Sequence, residues 1–66
     1  MYALIVTVQD ALGDVSTFKE AEFSSESDAR FSGSWLLGAG YGRASHRVIR
    51  YAVYDAQHNM LTEEVW

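Results

Sequence analysis

The sequence has no cysteine and no proline, and basic residues are few. Without cysteine there can be no disulfide and no zinc site with thiolate ligands, so the chain suits a reducing compartment. Residues 2–8 are apolar, but this run is too short to span a bilayer and has no basic leader before it. We therefore expect a cytoplasmic protein that does not contact a membrane.

The composition favours a folded domain. Of the 66 residues, 48% are hydrophobic and 14% aromatic, and nine Asp and Glu against five Lys and Arg give a net charge of −4. Aromatic side chains bury large areas, which argues against disorder despite the charge. We expect one domain, residues 1–66, and a complete small protein that is not a fragment. Its core is near the lower size limit, so self-association is one route to further stability.

The first half of the chain predicts two strands and a helix. Tyr2–Gln9 and Val15–Phe23 are rich in β-branched and aromatic residues, and Gly13 between them suits a hairpin loop. We expect Gln9 to lie opposite Asp14, which would place Phe18 on the face opposite Leu4 and Val6. Serine and acidic residues then predict a capped helix over 26–37, which Gly38 ends.

The second half predicts two more strands. Alternation returns over 45–55, with Ile49, Tyr51 and Val53 on one face, and 60–66 forms the last strand. Asn59 suits the left-handed position of the turn between them. Pairing Tyr54 with Met60 would set Arg50 opposite Glu64. The predicted fold is α+β: a four-stranded antiparallel sheet in the order β-β-α-β-β, with one helix packed on one face.

No motif indicates catalysis. The run Gly38-x-Gly40-x-Gly42 follows a helix, whereas phosphate-binding loops precede one, so we interpret it as a connection. His46 and His58 have no set of converging ligands, so we expect neither a metal nor another cofactor. Ser45 and His46 point to opposite faces of a strand and cannot act together. We expect the protein not to be an enzyme.

The acidic residues indicate a binding surface. Six of them fall between Asp10 and Asp28. On the predicted fold the sheet face without the helix would carry Glu20 and Glu22 beside apolar side chains, and apolar area with a charged rim is typical of interfaces. The candidate partner-binding residues are two acids at the hairpin tip, two acids on strand two and two aromatic anchors: Asp10, Asp14, Glu20, Glu22, Phe18 and Tyr54.

In size, acidity and sheet-plus-helix design, the chain resembles the small phage-encoded anti-CRISPR inhibitors of type I interference complexes. The stretch 18–29, in which a strand leads into a capped helix, is of a kind common in them. The resemblance implies binding without catalysis, to a Cas subunit whose DNA-binding or recruitment surface would be covered. Acidic side chains would there engage Lys and Arg that otherwise hold phosphates.

Two other functions remain open. A small homo-oligomeric accessory or regulatory protein would use the uncovered sheet face as its self-interface, so the chain is expected to be a monomer or a homodimer. A nucleic-acid binder would use Arg43, Arg47 and Arg50, which are interleaved with tyrosines. The net charge of −4 opposes that function, since attraction to phosphate dominates such binding, and we do not expect direct nucleic-acid contact.

Overall fold

The computed structural model describes residues 1–41 and 43–66, with the backbone alone at 41 and 43–45. The chain forms five strands and one helix in these residues. In chain order they are β1 (Tyr2–Gln9), β2 (Val15–Phe23), α1 (Glu26–Leu36), β3 (Gly40–Tyr41), β4 (Arg43–Tyr54) and β5 (Met60–Val65).

The strands form one antiparallel sheet. Its main order is β2-β1-β4-β5, and β3 adds two residues beside the first part of β4, on the edge that β5 continues. The helix packs on one face of this sheet. The predicted α+β fold, with four antiparallel strands and a single helix between the second and third of them, is therefore confirmed. The pairing of Gly40 in β3 was not predicted, because the glycine run was interpreted as a connection.

The core lies between the sheet and α1. The helix contributes Ala29 and Gly33, both buried, because small residues let its backbone approach the sheet closely. A Cβ added at Gly33 would lie 2.3 Å from Cδ1 of Tyr51, so helix and ring are already in contact. The sheet contributes its fully or nearly fully buried side chains: Leu4, Val6, Val8, Val48, Tyr51 and Val53.

Both helix ends follow from the local sequence. The Ser25 side chain accepts a hydrogen bond from the Asp28 backbone N–H at 3.2 Å, which satisfies one unpaired donor of the first turn. At the other end Gly38 has φ of +82°, a conformation that favours glycine. The helix ends at Leu36, one residue earlier than predicted. No helix in the described part of the chain is long and apolar enough to cross a membrane.

The predicted register of the first hairpin is wrong by one residue. Gln9 pairs with Val15, not with Asp14, so Phe18 lies opposite Val6 and packs against the core. A bulge then inserts Glu20, because Leu4 pairs with Ala21 while the next residue of β1 pairs with Lys19. The bulge restores the predicted core-side position of the last residues of β2.

Bulges also change the later strands. Val8 pairs with Val48 while Thr7 pairs with Arg50, so Ile49 is the inserted residue. Val48 therefore takes the core position that was predicted for Ile49. Tyr54 pairs with Met60, as predicted.

A bulge at Leu61 then shifts the rest of β5. Arg50 consequently lies opposite Val65, and the prediction that it faces Glu64 is wrong. In the preceding turn the left-handed residue is His58, with φ of 65°, instead of Asn59. Aspartate, asparagine and histidine are the non-glycine residues that tolerate this conformation best.

Candidate protein-binding surfaces

The sheet face away from α1 is partly exposed to solvent: Met60 and Val65 at its β5 edge are exposed, whereas Ala52 is fully buried among its neighbours. We call it the open face and define it by the side chains that alternate with the core residues along the strands. Its centre is apolar and its borders carry charge, with polar threonines at one end. The members are Ala3, Ile5, Thr7, Gln9, Val15, Thr17, Lys19, Glu22, Arg47, Arg50, Ala52, Tyr54, Met60, Glu63 and Val65.

The charges of the open face are nearly balanced, which contradicts the prediction of an acidic face. Lys19 lies 3.3 Å from Glu22, and Arg50 forms an ion pair and a hydrogen bond with Glu63. The hydrogen bond to Glu63 raises the pKa of the Arg50 guanidinium, so this side chain stays charged. With Arg47 the face has three cations and two carboxylates.

A shallow groove of about 550 Å³ lies on this face above Ala3. Ile5 and Tyr54 form its apolar walls, and the Lys19–Glu22 pair lies at its border. Tyr54 is thus on the open face, where the sequence placed it. The groove also reaches the turn after β4, where Asp55, Ala56 and His58 line it.

Two of the predicted partner-binding side chains are not on this face. Phe18 is half-buried and packs against the core, because the register differs by one residue. Glu20, the bulged residue, lies beside α1 in a groove with Trp35. Their expected placement on the face without the helix is therefore wrong.

The two predicted acids of the first hairpin have a clear local role. The Asp10 side chain accepts hydrogen bonds from the backbone N–H groups of Leu12 and Asp14, at 2.9 and 3.0 Å. The Asp10 backbone N–H also donates to the Asp14 carbonyl. Asp10 and Asp14 therefore lie together at the tip of the hairpin, as predicted, and Asp10 shapes its turn.

A second surface lies between α1 and β2, and we call it the helix groove. It holds about 370 Å³. Phe31 and Trp35, four residues apart on α1, are 68% and 73% exposed, although aromatic side chains usually bury most of their area. The groove is lined by apolar residues, one serine and one carboxylate: Leu4, Glu20, Ala21, Phe23, Phe31, Ser32, Trp35 and Leu36.

Most of the negative charge lies away from the open face. Only Glu22 and Glu63 of the nine carboxylates belong to it, whereas Lys19, Arg47 and Arg50 all do. Of the four basic side chains that the structure describes, only Arg30 is on the helix side. The other seven carboxylates lie at the hairpin tip, around α1 and in the last turn: Asp10, Asp14, Glu20, Glu26, Asp28, Asp55 and Glu64.

Glu64 lies on the helix side of β5. It accepts a hydrogen bond from the Tyr51 hydroxyl. Burial, together with this hydrogen bond, raises the pKa of the Tyr51 phenol. The opposite direction applies in the turn that precedes β5, where the Asn59 backbone N–H holds the pKa of Asp55 below its usual value. The Tyr51 phenol therefore stabilises the fold in its protonated form, and the Asp55 carboxyl stabilises it in its ionised form.

Two of the three arginines considered for nucleic-acid binding, Arg47 and Arg50, contact other side chains of the chain. The guanidinium of Arg47 lies 4.5 Å from the centre of the Trp66 ring, and Arg50 is paired with Glu63. The side chain of Arg43, the third predicted nucleic-acid contact, lies outside the described residues, as does Gly42 of the glycine run. No group of three His, Cys, Asp or Glu residues in the described part of the chain is placed to hold a metal ion.

Sequence reasoning missed the helix groove. No binding role was predicted from the sequence for Phe31 or Trp35. The signal was available: the stripe that packs on the sheet consists of Ala29 and Gly33, so large side chains at neighbouring positions must point partly to solvent. Comparison with known proteins adds no candidate function, since no family model, curated protein or solved structure matches the chain.

Proposed function

We propose that this protein is a non-catalytic inhibitor of the anti-CRISPR kind, which binds a protein partner through the helix groove. The observation that carries the proposal is the exposed pair Phe31 and Trp35 beside the Glu20 carboxylate. Exposed aromatic side chains next to a pocket are the usual anchors of protein interfaces. An aromatic and acidic surface, which the sequence placed on the sheet, is thus available beside the helix.

The charge distribution indicates the chemistry of the partner. Seven of nine carboxylates lie off the open face, around α1 and at the two turns described above, and Glu20 lines the helix groove itself. A partner with Lys and Arg around an apolar centre would match this surface and would be drawn to it from a distance. Proteins that hold nucleic acids present such basic surfaces. We propose a Cas subunit of a type I interference complex, whose DNA-binding or recruitment surface would be covered.

The test is a calorimetric titration of the protein into a purified type I interference complex. Wild type is expected to bind and to reduce DNA binding by the complex. Trp35→Ala should weaken binding about 30-fold, the factor for loss of an aromatic anchor worth about 2 kcal/mol. Glu20→Lys should slow association and reduce its dependence on salt, because a steering charge is reversed.

Matched controls make the result specific. Leu12→Ala removes a large apolar side chain that is 89% exposed at the hairpin tip, and Glu22→Lys reverses an acid of the open face. Neither should change the affinity by more than about threefold, which corresponds to the ±0.5 kcal/mol usual for surface substitutions. The proposal fails if wild type does not bind the complex, or if Trp35→Ala binds as tightly as wild type.

A further inference from the structure

We infer that the open face is the interface of a homodimer, in which a second copy of this chain packs its own open face against it. This inference is independent of the proposed function, which uses the other side of the sheet. It is carried by the order of side chains across the strands. The pairing of β2, β1, β4 and β5 sets this order row by row.

The last two rows of the open face, those of Ile5 and Ala3, alternate in charge or in size. In the first row Ile5 pairs with Lys19 on one side and with Ala52 on the other, and Ala52 pairs with Glu63. This row therefore has a cation at one edge, an acid at the other, and a large and a small apolar side chain between them.

The next row has the sizes reversed. Ala3 pairs with Glu22 and with Tyr54, and Tyr54 pairs with Met60. The small side chain is now on β1 and the large one on β4. The groove of about 550 Å³ lies above Ala3 and extends along Tyr54 to the turn after β4.

A two-fold axis parallel to the strands, between β1 and β4, sets each row against the same row of the partner in reverse order. Three of the four kinds of facing pair are then complementary, and the fourth sets Glu22 against the partner's Met60. The axis places β2 over the partner's β5 and β1 over the partner's β4, with the sheets about 10 Å apart. Lys19 then faces the partner's Glu63, and Ile5 faces the partner's Ala52. In the second row Tyr54 faces the partner's Ala3, where the groove receives its ring.

The same axis separates part of the remaining negative charge. Four carboxylates lie on the helix side of the sheet, away from the second copy: Glu20, Glu26, Asp28 and Glu64. The open face itself holds three cations and two acids from each chain, so face-to-face packing avoids part of the repulsion between two chains of charge −4. A standard interface buries about 800 Å² per partner, roughly a fifth of the 4264 Å² that this chain exposes.

The first test is sedimentation of the wild type from micromolar to millimolar concentration, where we expect a monomer–dimer equilibrium. Ile5→Asp should raise the dimer dissociation constant at least about tenfold, since it places a charge at the apolar centre. Trp35 lies on the other side of the sheet, so Trp35→Ala should leave the dimer dissociation constant unchanged. Circular dichroism confirms that each variant folds.

The second test addresses the two-fold arrangement by exchanging charges across the interface. Lys19→Glu and Glu63→Lys should each raise the dissociation constant about fivefold, since each sets like charges opposite one another. The double variant restores opposite charges across the interface and should therefore have a lower dissociation constant than either single variant, although Glu22 and Arg50 lose their partners within the chain. If the dissociation constant of the double variant instead rises by the product of the two single-variant factors, the two-fold arrangement is overturned.

Three other results overturn the dimer itself. One is a wild type that sediments as a monomer at all concentrations, which would leave the open face to a different protein. Another is a dimer that is dissociated by Trp35→Ala but not by Ile5→Asp, which would assign self-association to the helix groove. The third is a folded Ile5→Asp variant that dimerises as well as wild type.

Discussion

Replacing Gly33 by alanine tests the close approach of α1 to the sheet. In an exposed helix Gly→Ala stabilises by about 1 kcal/mol, because alanine has the higher helix propensity. Here the added Cβ would lie 2.3, 2.6 and 2.7 Å from three ring carbons of Tyr51. Carbon atoms prefer separations of about 3.5–4.0 Å, so helix and ring would have to separate by more than 1 Å.

The ring cannot move aside easily. Tyr51 is 1% exposed, and its hydroxyl is held by Glu64. Overpacking of this kind costs about 1–3 kcal/mol, and a contact this short is at the upper end. After the gain in helix propensity, we expect Gly33→Ala to destabilise the fold by about 2 kcal/mol. For a domain of this size the melting temperature should fall by roughly 10 °C.

Urea unfolding followed by circular dichroism measures this change. Gly40→Ala is the matched control, because its added Cβ would make an ordinary contact of 3.7 Å with the His46 carbonyl oxygen. We expect that variant to stay within about 0.5 kcal/mol of wild type. If Gly33→Ala is as stable as wild type or more stable, the helix does not approach the Tyr51 ring as closely as described.

Other substitutions test the helix ends and the buried phenol, and thermal or urea unfolding measures each of them. Gly38→Ala should destabilise strongly, since φ is +82° and the new Cβ would lie 2.4 Å from Nε1 of Trp66; full stability would contradict that contact. Ser25→Ala should cost about 1 kcal/mol by removing the helix cap, and no loss would count against the cap. Because the pKa of Tyr51 is raised, its contribution is complete below pH 10, the ordinary phenol value, and is lost as the pH rises through the higher folded value. Wild type should therefore lose more stability than Tyr51→Phe in this alkaline range, and equal losses would refute the burial argument.

The fold could be predicted because each element has a local cause. Alternating β-branched residues, the serine cap at Ser25 and the glycines at positions 13 and 38 specify the strands, helix and turns without reference to one another. The register could not be predicted as well. Each bulge inserts one residue on the basis of packing between strands, and the sequence around Glu20, Ile49 or Leu61 has no local signal for it.

The register of the first hairpin and its bulge explain the errors at the candidate site. Closing the hairpin with Gln9 opposite Val15 turns Phe18 toward the core, and the inserted residue Glu20 lies beside the helix. Tyr54 precedes the bulge in its own hairpin and was placed correctly on the open face. Prediction of a surface from strand alternation is therefore reliable only where the loop register is right, and only up to the first bulge.

The exposure of both tryptophans has a practical consequence for spectroscopy. Trp35 and Trp66 are 73% and 62% exposed, so the emission maximum of the native state should already be close to that of indole in water. Denaturation should then shift it little, and emission wavelength is a poor reporter of the folded fraction. Collisional quenchers such as acrylamide should instead reach Trp35 freely, and a partner seated on the helix groove should shield it from them.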